Sequence, residues 1–246
     1  MAYHPFFEDG AERPGKWLVT CDHATNTVPS FVGEGSLGIG AADMARHIAY
    51  DPGAAGVAWQ LARELDSAYL GSNFSRLVID PNRGEDDPTL IMKLYDGTII
   101  PANRHLSAQD KAQRLDRCYR PYDAALARLA GRNPDTIILS VHSFTPQFRG
   151  RAPRPWHVGV LFAEDTRLSR PLIDGLREDK RLVVGENEPY TGSLTEDALD
   201  RHAVSKGRPH ALIELRNDLI ETESQQVEWA SRLAPVLVRA AREAGL

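Results

Sequence analysis

Apolar positions fall along this chain in short runs that alternate with helical periodicities. Lys16–Cys21 (KWLVTC) is an apolar run that predicts a strand, and the polar loop after it carries Asp22-His23-Ala24-Thr25-Asn26. Ala41–Tyr50 predicts a short helix. Gly53–Ser67 places Val57, Leu61 and Leu65 four residues apart, as on one face of an amphipathic helix. Asp51-Pro52 at its start supplies the acid and the proline of a first turn. Arg76–Asp80 (RLVID) predicts a second strand, running into Pro81-Asn82-Arg83-Gly84. Glu85–Leu106 is polar and irregular; it is long for a loop in a compact domain, so it is expected to be functional or mobile. Ser107–Gly131 is helical through Leu115, Tyr119, Leu126 and Leu129, with a break expected at Pro121.

Thr136–Val141 (TIILSV) predicts a buried strand ending in His142-Ser143-Phe144-Thr145, followed by the Arg- and Pro-rich segment Gln147–Pro155. His157–Phe162, Arg181–Val184 and His210–Leu215 (HALIEL) predict strands. Arg167–Arg177, Thr195–Ser205 and Ser224–Glu243 predict helices, with a turn at Tyr190–Ser193. The last helix sets Val227, Ala230, Leu233 and Leu237 on one face and carries Pro235, which should kink it. Alternating strands and helices predict an α/β fold, three layers (α/β/α) around a mostly parallel sheet. No internal repeat, low-complexity tract or linker divides the chain, so residues 1–246 are expected to form a single domain. In such sheets ligands bind beyond the carboxyl ends of the strands.

Composition narrows the class. With 246 residues, 42% hydrophobic and 26% charged, the chain is an ordinary globular sequence, not a disordered, collagen-like or coiled-coil one. It is long enough to bury a core without a disulfide or metal. Lys and Arg number 29 against 34 Asp and Glu, a net charge of −5, which speaks against nucleic acid or an anionic membrane as the main partner. Two cysteines, Cys21 and Cys118, are too few for a disulfide framework. The first residues lack a basic segment followed by an apolar stretch, and no run approaches the ~18–20 apolar residues of a membrane span. A soluble, cytoplasmic protein is expected; the oligomeric state is not legible.

The polar residues at the predicted strand ends are His23, Asn82, Arg83 and His142, with Glu214 inside HALIEL. Each has a plain alternative: a histidine that hydrogen-bonds its loop, a turn with a surface arginine, a solvated basic loop at Gln147–Pro155. Glu214 stands in a nearly all-apolar strand. A carboxylate buried there must be paired, metal-bound or raised in pKa. An ion pair with Arg216, two residues on, is the structural alternative. Two histidines and a carboxylate are the ligands of a hydrolytic zinc site with an open position for water. A further carboxylate beside that water serves as general base, and arginines can stabilise an oxyanion or clamp a carboxylate.

Taken together, Cys21-Asp22-His23-Ala24 with Pro29, Ser75-Arg76-Leu77-Val78-Ile79-Asp80-Pro81-Asn82-Arg83, Ser140-Val141-His142-Ser143 and Ile213-Glu214-Leu215-Arg216-Asn217-Asp218-Leu219 resemble the N-formylglutamate amidohydrolase family over nearly the whole chain. That family is similar to the zinc carboxypeptidases and acyl-amino-acid hydrolases, and the resemblance implies their phosphorylase/hydrolase-like sheet. It implies Zn²⁺, or another divalent metal, on His23 and His142, with Glu214 as catalytic carboxylate. Arg76 would polarise the scissile carbonyl, Asn82 and Arg83 would hold a substrate carboxylate, and Tyr190 would contact substrate. A second carboxylate would meet Arg149, Arg151 or Arg154. The related peptidases carry His-x-x-Glu, whereas here the spacing gives His23-Ala24-Thr25-Asn26, and a neutral Asn is a poor ligand. Asp51, at the start of the following helix, is therefore the expected third ligand. The implied reaction is hydrolysis of a small acidic N-acyl amino acid, N-formyl-L-glutamate to formate and L-glutamate. A related deacylase or peptidase, and a non-catalytic module binding a metal or a small acid, remain as alternatives.

Overall fold

Three strands are buried on both faces and read as near-continuous apolar runs, as strands of a covered parallel sheet must: β2 (Trp17–Cys21), β6 (Ile137–Phe144) and β9 (His210–Arg216). The structure, a computed structural model, describes residues 3–148, 150–192 and 195–246. Arg149 and the end of the turn expected at Tyr190–Ser193 lie outside the described residues. With β1 (Phe6–Asp9), β3 (Ala68–Ser72), β7 (Val158–Leu161) and β8 (Val184–Glu186), the central strands form a seven-stranded sheet in the order β1-β3-β2-β6-β9-β7-β8. β1 is antiparallel to β3 and β7 to β9; the other neighbours are parallel. The α/β class and the mostly parallel mixed sheet are as the alternation of elements predicts.

Alternate residues of the central strands face opposite layers. Val19, Leu139, Val141, Ala211, Ile213 and Leu215 pack beneath α2 (Ala54–Glu64), α6 (Ser169–Arg177) and α8 (Glu223–Glu243). Leu18, Ile138 and Leu212 belong to the other layer, with α5 (Arg120–Ala130) and α7 (Ala198–His202). The short α1 (Ala41–Met44), the hairpin of β4 (Leu94–Tyr95) and β5 (Thr98–Ile99), and α3 (Pro101–Arg104) connect these elements, and α4 (Ala108–Arg114) leads into α5. Capping boxes at Ser107–Asp110 and Thr222–Gln225 start α4 and α8.

Several expectations are corrected. Arg76–Asp80 is not a strand. Leu77, Val78 and Ile79 are fully buried, but side chains satisfy the backbone: Asn103 donates to the Leu77 carbonyl and Arg114 to that of Val78. The helix expected over Gly53–Ser67 ends at Glu64, and β3 follows. Pro121 breaks nothing, because the widened turn Leu115–Tyr119 precedes it and places it in the first turn of α5, where a missing N–H is harmless. The strand expected at Arg181–Val184 begins at Val184. On α8, Val227 is 41% exposed, and Trp229, Ala230, Leu233 and Leu237 form the buried face through Pro235. No helix among the described residues is long and apolar enough to cross a membrane.

Candidate metal centre

His142 and Glu214 are direct neighbours across β6 and β9, paired in the parallel register. They share a face with Ser140, Leu212 and His210, toward the carboxyl ends of the strands but within them. His23 follows β2 by two residues, and its carbonyl accepts from Asp51 N, which ties that loop to the turn before α2. Gly53, in the left-handed region, is the N-cap of α2, so Asp51 does not cap the helix. Its side chain turns inward: Oδ2 lies 2.9 Å from His142 Nδ1 and 3.3 Å from His23 Nδ1, and accepts from Ser143 N. One ligand atom from each of His23, Asp51 and His142 fits within a 4.8 Å group. Asn26, by contrast, is exposed and donates to the Met44 carbonyl.

Both histidines are held from behind by carboxylates. His23 Nε2 donates to Asp80 Oδ1 at 2.8 Å. His142 Nε2 meets Ser140 Oγ at 3.0 Å, with Asp22 Oδ2 at 3.5 Å, and Asp22 accepts from Tyr122 OH at 2.6 Å. A histidine whose outer nitrogen donates to such a group presents its other nitrogen as a ligand. Two imidazole nitrogens and one carboxylate oxygen, with room for a fourth group, suit a hydrolytic divalent metal. Two further observations agree. Asp51 Oδ1 and His47 Nδ1 are 3.2 Å apart yet misaligned, so neither has a hydrogen-bond partner. Glu214 Oε2 is buried and also without one. Asp22, Asp80, Tyr122 and His47 are residues of this site that the local sequence pattern does not mark. Asp22 and Asp80 stand inside the recognised motifs, but the histidine that each orients is set by tertiary contact.

Charge is balanced by pairing. Burial alone would raise Asp51 and Asp80, yet the surrounding histidines, and Arg76 beside Asp80, hold both carboxyls below the usual range. Arg76 bonds Asp80 Oδ2 at 2.9 Å and lies 3.5 Å from Asp51 Oδ1. Burial would lower His142, but its bonds to Asp22 and Asp51 hold it well above an ordinary imidazole. Burial pushes His47 down to about 4. For Glu214 burial dominates and lifts the carboxyl to about 8, although His142 and Arg76 pull the other way. The alternative of an ion pair with Arg216 does not hold: Arg216 bonds Asp218.

One cavity of about 530 Å³ brings together His23, Asp51, His142, Glu214, Arg76, Asn82, Arg83 and Tyr190. Asn82 is fixed by accepting from Ala198 N, and Arg83 by donating to Thr89 Oγ1 and to the Asn82 carbonyl. Tyr190, raised to about 12 by burial, accepts from Arg154, whose guanidinium stacks on Phe148. Arg151 is exposed and does not line the cavity; its carbonyl accepts from Gln147 Nε2.

The profile of the N-formylglutamate amidohydrolase family matches residues 15–221. The structure of a gene product from Agrobacterium tumefaciens is similar at 31% identity, covering 98% of this chain and 96% of that one with a TM-score of 0.89. An N-formylglutamate amidohydrolase from Ralstonia eutropha JMP134 has the same fold, at 22% identity, 98% coverage of each chain and a TM-score of 0.69. A bacteriophage poly-gamma-glutamate hydrolase has a related fold at 8% identity, covering 97% of this chain and 91% of that one with a TM-score of 0.51. No curated protein sequence matches significantly.

Proposed function

This chain belongs to the N-formylglutamate amidohydrolase family, and on that premise we propose that it hydrolyses N-formyl-L-glutamate to formate and L-glutamate at a divalent metal, zinc by preference of the donor set. His23, Asp51 and His142 hold the metal. When bound, it supplies Lewis-acid polarisation of the carbonyl and of water. Glu214 takes a proton from the attacking water as the oxygen adds to the formyl carbon. Arg76, kept charged by Asp80 and Asp51, stabilises the developing oxyanion. Glu214 then delivers the proton to the amide nitrogen as the C–N bond breaks. Asn82 and Arg83 grip one substrate carboxylate; Arg154, with Tyr190, is the candidate for the second.

The observation that carries this reading is Glu214, a 6% exposed carboxyl with an unpartnered oxygen, beside His142 in the sheet. A binding module has no use for so costly a group, whereas a proton carrier needs a pKa displaced toward neutrality. Because His142 must surrender the Nδ1 proton to act as ligand, metal uptake is expected to release protons. The test is turnover of N-formyl-L-glutamate against N-formyl-L-glutamine, with metal analysis of the same sample. The charged substrate should be turned over well above the neutral one, with about one metal per chain. Equal rates would leave only one carboxylate read, and no turnover with metal bound would return the chain to a binding role.

A further inference from the structure

The turn that carries Asn82 and Arg83 lies outside every strand and helix, so its backbone groups need other partners. Three successive carbonyls there each accept from a guanidinium. Pro81 accepts from Arg201 Nη2 at 2.9 Å, Asn82 from Arg83 Nη1 at 2.8 Å, and Arg83 from Arg201 Nη1 at 3.2 Å. Tyr119 OH, at 2.7 Å, is a second donor to the Arg83 carbonyl. Arg201, on α7, thus takes the carbonyls on both sides of Asn82. It is itself held from two directions. Asp123 Oδ1, on α5, accepts from its Nε at 3.1 Å and its Nη2 at 3.0 Å, and its Nη1 also donates to the Glu196 carbonyl. Burial pushes the Asp123 carboxyl up, but His202 and Arg201 hold it below the usual carboxylate range, so the anchor stays charged.

The same helix fixes which way the Asn82 amide faces. Ala198 N can only donate, and it bonds Asn82 Oδ1 at 3.0 Å. Nδ2 is left as the free end of the amide, without a partner among the described residues, on a side chain that lines the cavity. Arg83 also offers donors alone, and its bond to the Asn82 carbonyl makes its direction depend on the plane of that peptide. The pair therefore presents only donors, which suits a carboxylate. Both side chains take their aim from a segment that Arg201 grips, yet Arg201 does not itself line the cavity.

We propose that Arg201 is the positioning residue for carboxylate recognition, setting Asn82 and Arg83 through the backbone between them and α7, with Tyr119 as its helper on the Arg83 carbonyl. This rests on the reading of Asn82 and Arg83 as the pair that grips a substrate carboxylate. A guanidinium that only satisfied buried carbonyls would, on removal, lower stability and turnover of every substrate alike. One that aims this pair affects only ligands that carry the carboxylate the pair holds, and it acts on binding while the reacting groups stay in place.

The test compares Arg201→Met, Arg201→Lys and Tyr119→Phe with the native protein on N-formyl-L-glutamate and its two mono-amides, N-formyl-L-glutamine and the α-amide N-formyl-L-isoglutamine. Turnover is measured on the metal-loaded proteins, and binding calorimetrically with Glu214→Gln added to each. Arg201→Met should raise KM for N-formyl-L-glutamate about tenfold or more with kcat within about twofold, the scale of a lost charge-assisted bond. Arg201→Lys restores one donor and should recover part of that loss. Tyr119→Phe removes only a hydroxyl and should raise KM about threefold; it decides the matter if Arg201→Met does not fold. For the mono-amide that lacks the carboxylate held by Asn82 and Arg83, KM should be unchanged in all three variants. Native discrimination among the three substrates, with Arg201 variants that lower kcat for all of them alike or leave KM unchanged, overturns the positioning role and leaves the hydrolytic reading standing. Weakened binding confined to ligands with that carboxylate, with no turnover by the native protein, supports the positioning role and overturns the hydrolytic reading. Equal native affinity for all three ligands overturns the carboxylate reading and the positioning role together.

Discussion

On one face of β6 and β9 stand Ile137, Leu139, Val141, Ala211, Ile213 and Leu215, packed beneath α2, α6 and α8. On the other face the same strands, in the same register, carry Ser140, His142, His210 and Glu214 together with the aliphatic Ile138 and Leu212. The closed face depends on volume alone, and hydrophobes of similar volume exchange there at modest cost. The open face depends on partners. His142 is bound at both nitrogens, Asp22 and Asp80 are each enclosed by donors, and Asp51 is partnered at Oδ2. Glu214 Oε2, like Asp51 Oδ1, is left over, at a cost the fold tolerates because the opposite face supplies the stability.

Substitutions on the two faces should therefore fail differently. The largest effect is expected at Asp51. Asp51→Ala should drop metal content to near zero and hydrolysis with it, while Asn26→Ala, at an exposed side chain, should leave metal content unchanged. Metal analysis of the purified variants checks both. Because Gly53 rather than Asp51 is the N-cap of α2, Asp51→Asn should also lose metal; a silent Asp51→Asn would mean that the carboxylate holds no ion.

On the closed face, Ile213→Ala should cost ~2–5 kcal/mol by denaturant unfolding, with activity per folded molecule retained. A selective loss of turnover there would break the division between the faces.

Stability against pH sharpens it further. The Glu214 carboxyl is raised from 4.5 to about 8 by burial. The native protein binds that proton more tightly than the unfolded chain, so its contribution to stability is complete below about 4.5 and is lost as pH rises through about 8. Glu214→Gln removes the titration. In chelator-treated protein the variant should gain on the native chain over that window, by an amount on the order of a few kcal/mol. Parallel stability curves would show that Glu214 is partnered after all.

The smallest effect concerns substrate. Arg83→Lys keeps the charge but loses the planar two-bond fork. It should lower kcat/KM for N-formyl-L-glutamate by roughly 1.5–3 kcal/mol, and an unchanged value would move carboxylate recognition to Arg154.

What could be read from the chain follows the same division. Strands β2, β6 and β9 are legible because burial on both faces leaves an apolar run, and His23, His142 and Glu214 are legible as polar interruptions at or beside those runs. Arg76–Asp80 carries the same apolar signature, yet it is a buried turn. What satisfies its carbonyls is Asn103 and Arg114, far along the sequence, which a local pattern does not register. β1 is a half-exposed edge strand and β3, though buried, ends in Gly71-Ser72, so neither has a distinctive run. Asp22 and Asp80 stand in view inside their motifs, but their work is to orient histidines brought to them by folding. His47, four residues before Asp51, was legible only as part of a short helix.

The central claim is that Glu214 moves the proton beside a metal held by His23, Asp51 and His142. Steady-state hydrolysis of N-formyl-L-glutamate by Glu214→Gln, with metal stoichiometry determined on the same preparation, tests it most directly. The account predicts about one metal per chain retained and kcat lower by roughly 10²–10⁴-fold, the usual worth of a positioned acid–base group. Full metal occupancy with kcat unchanged would contradict it.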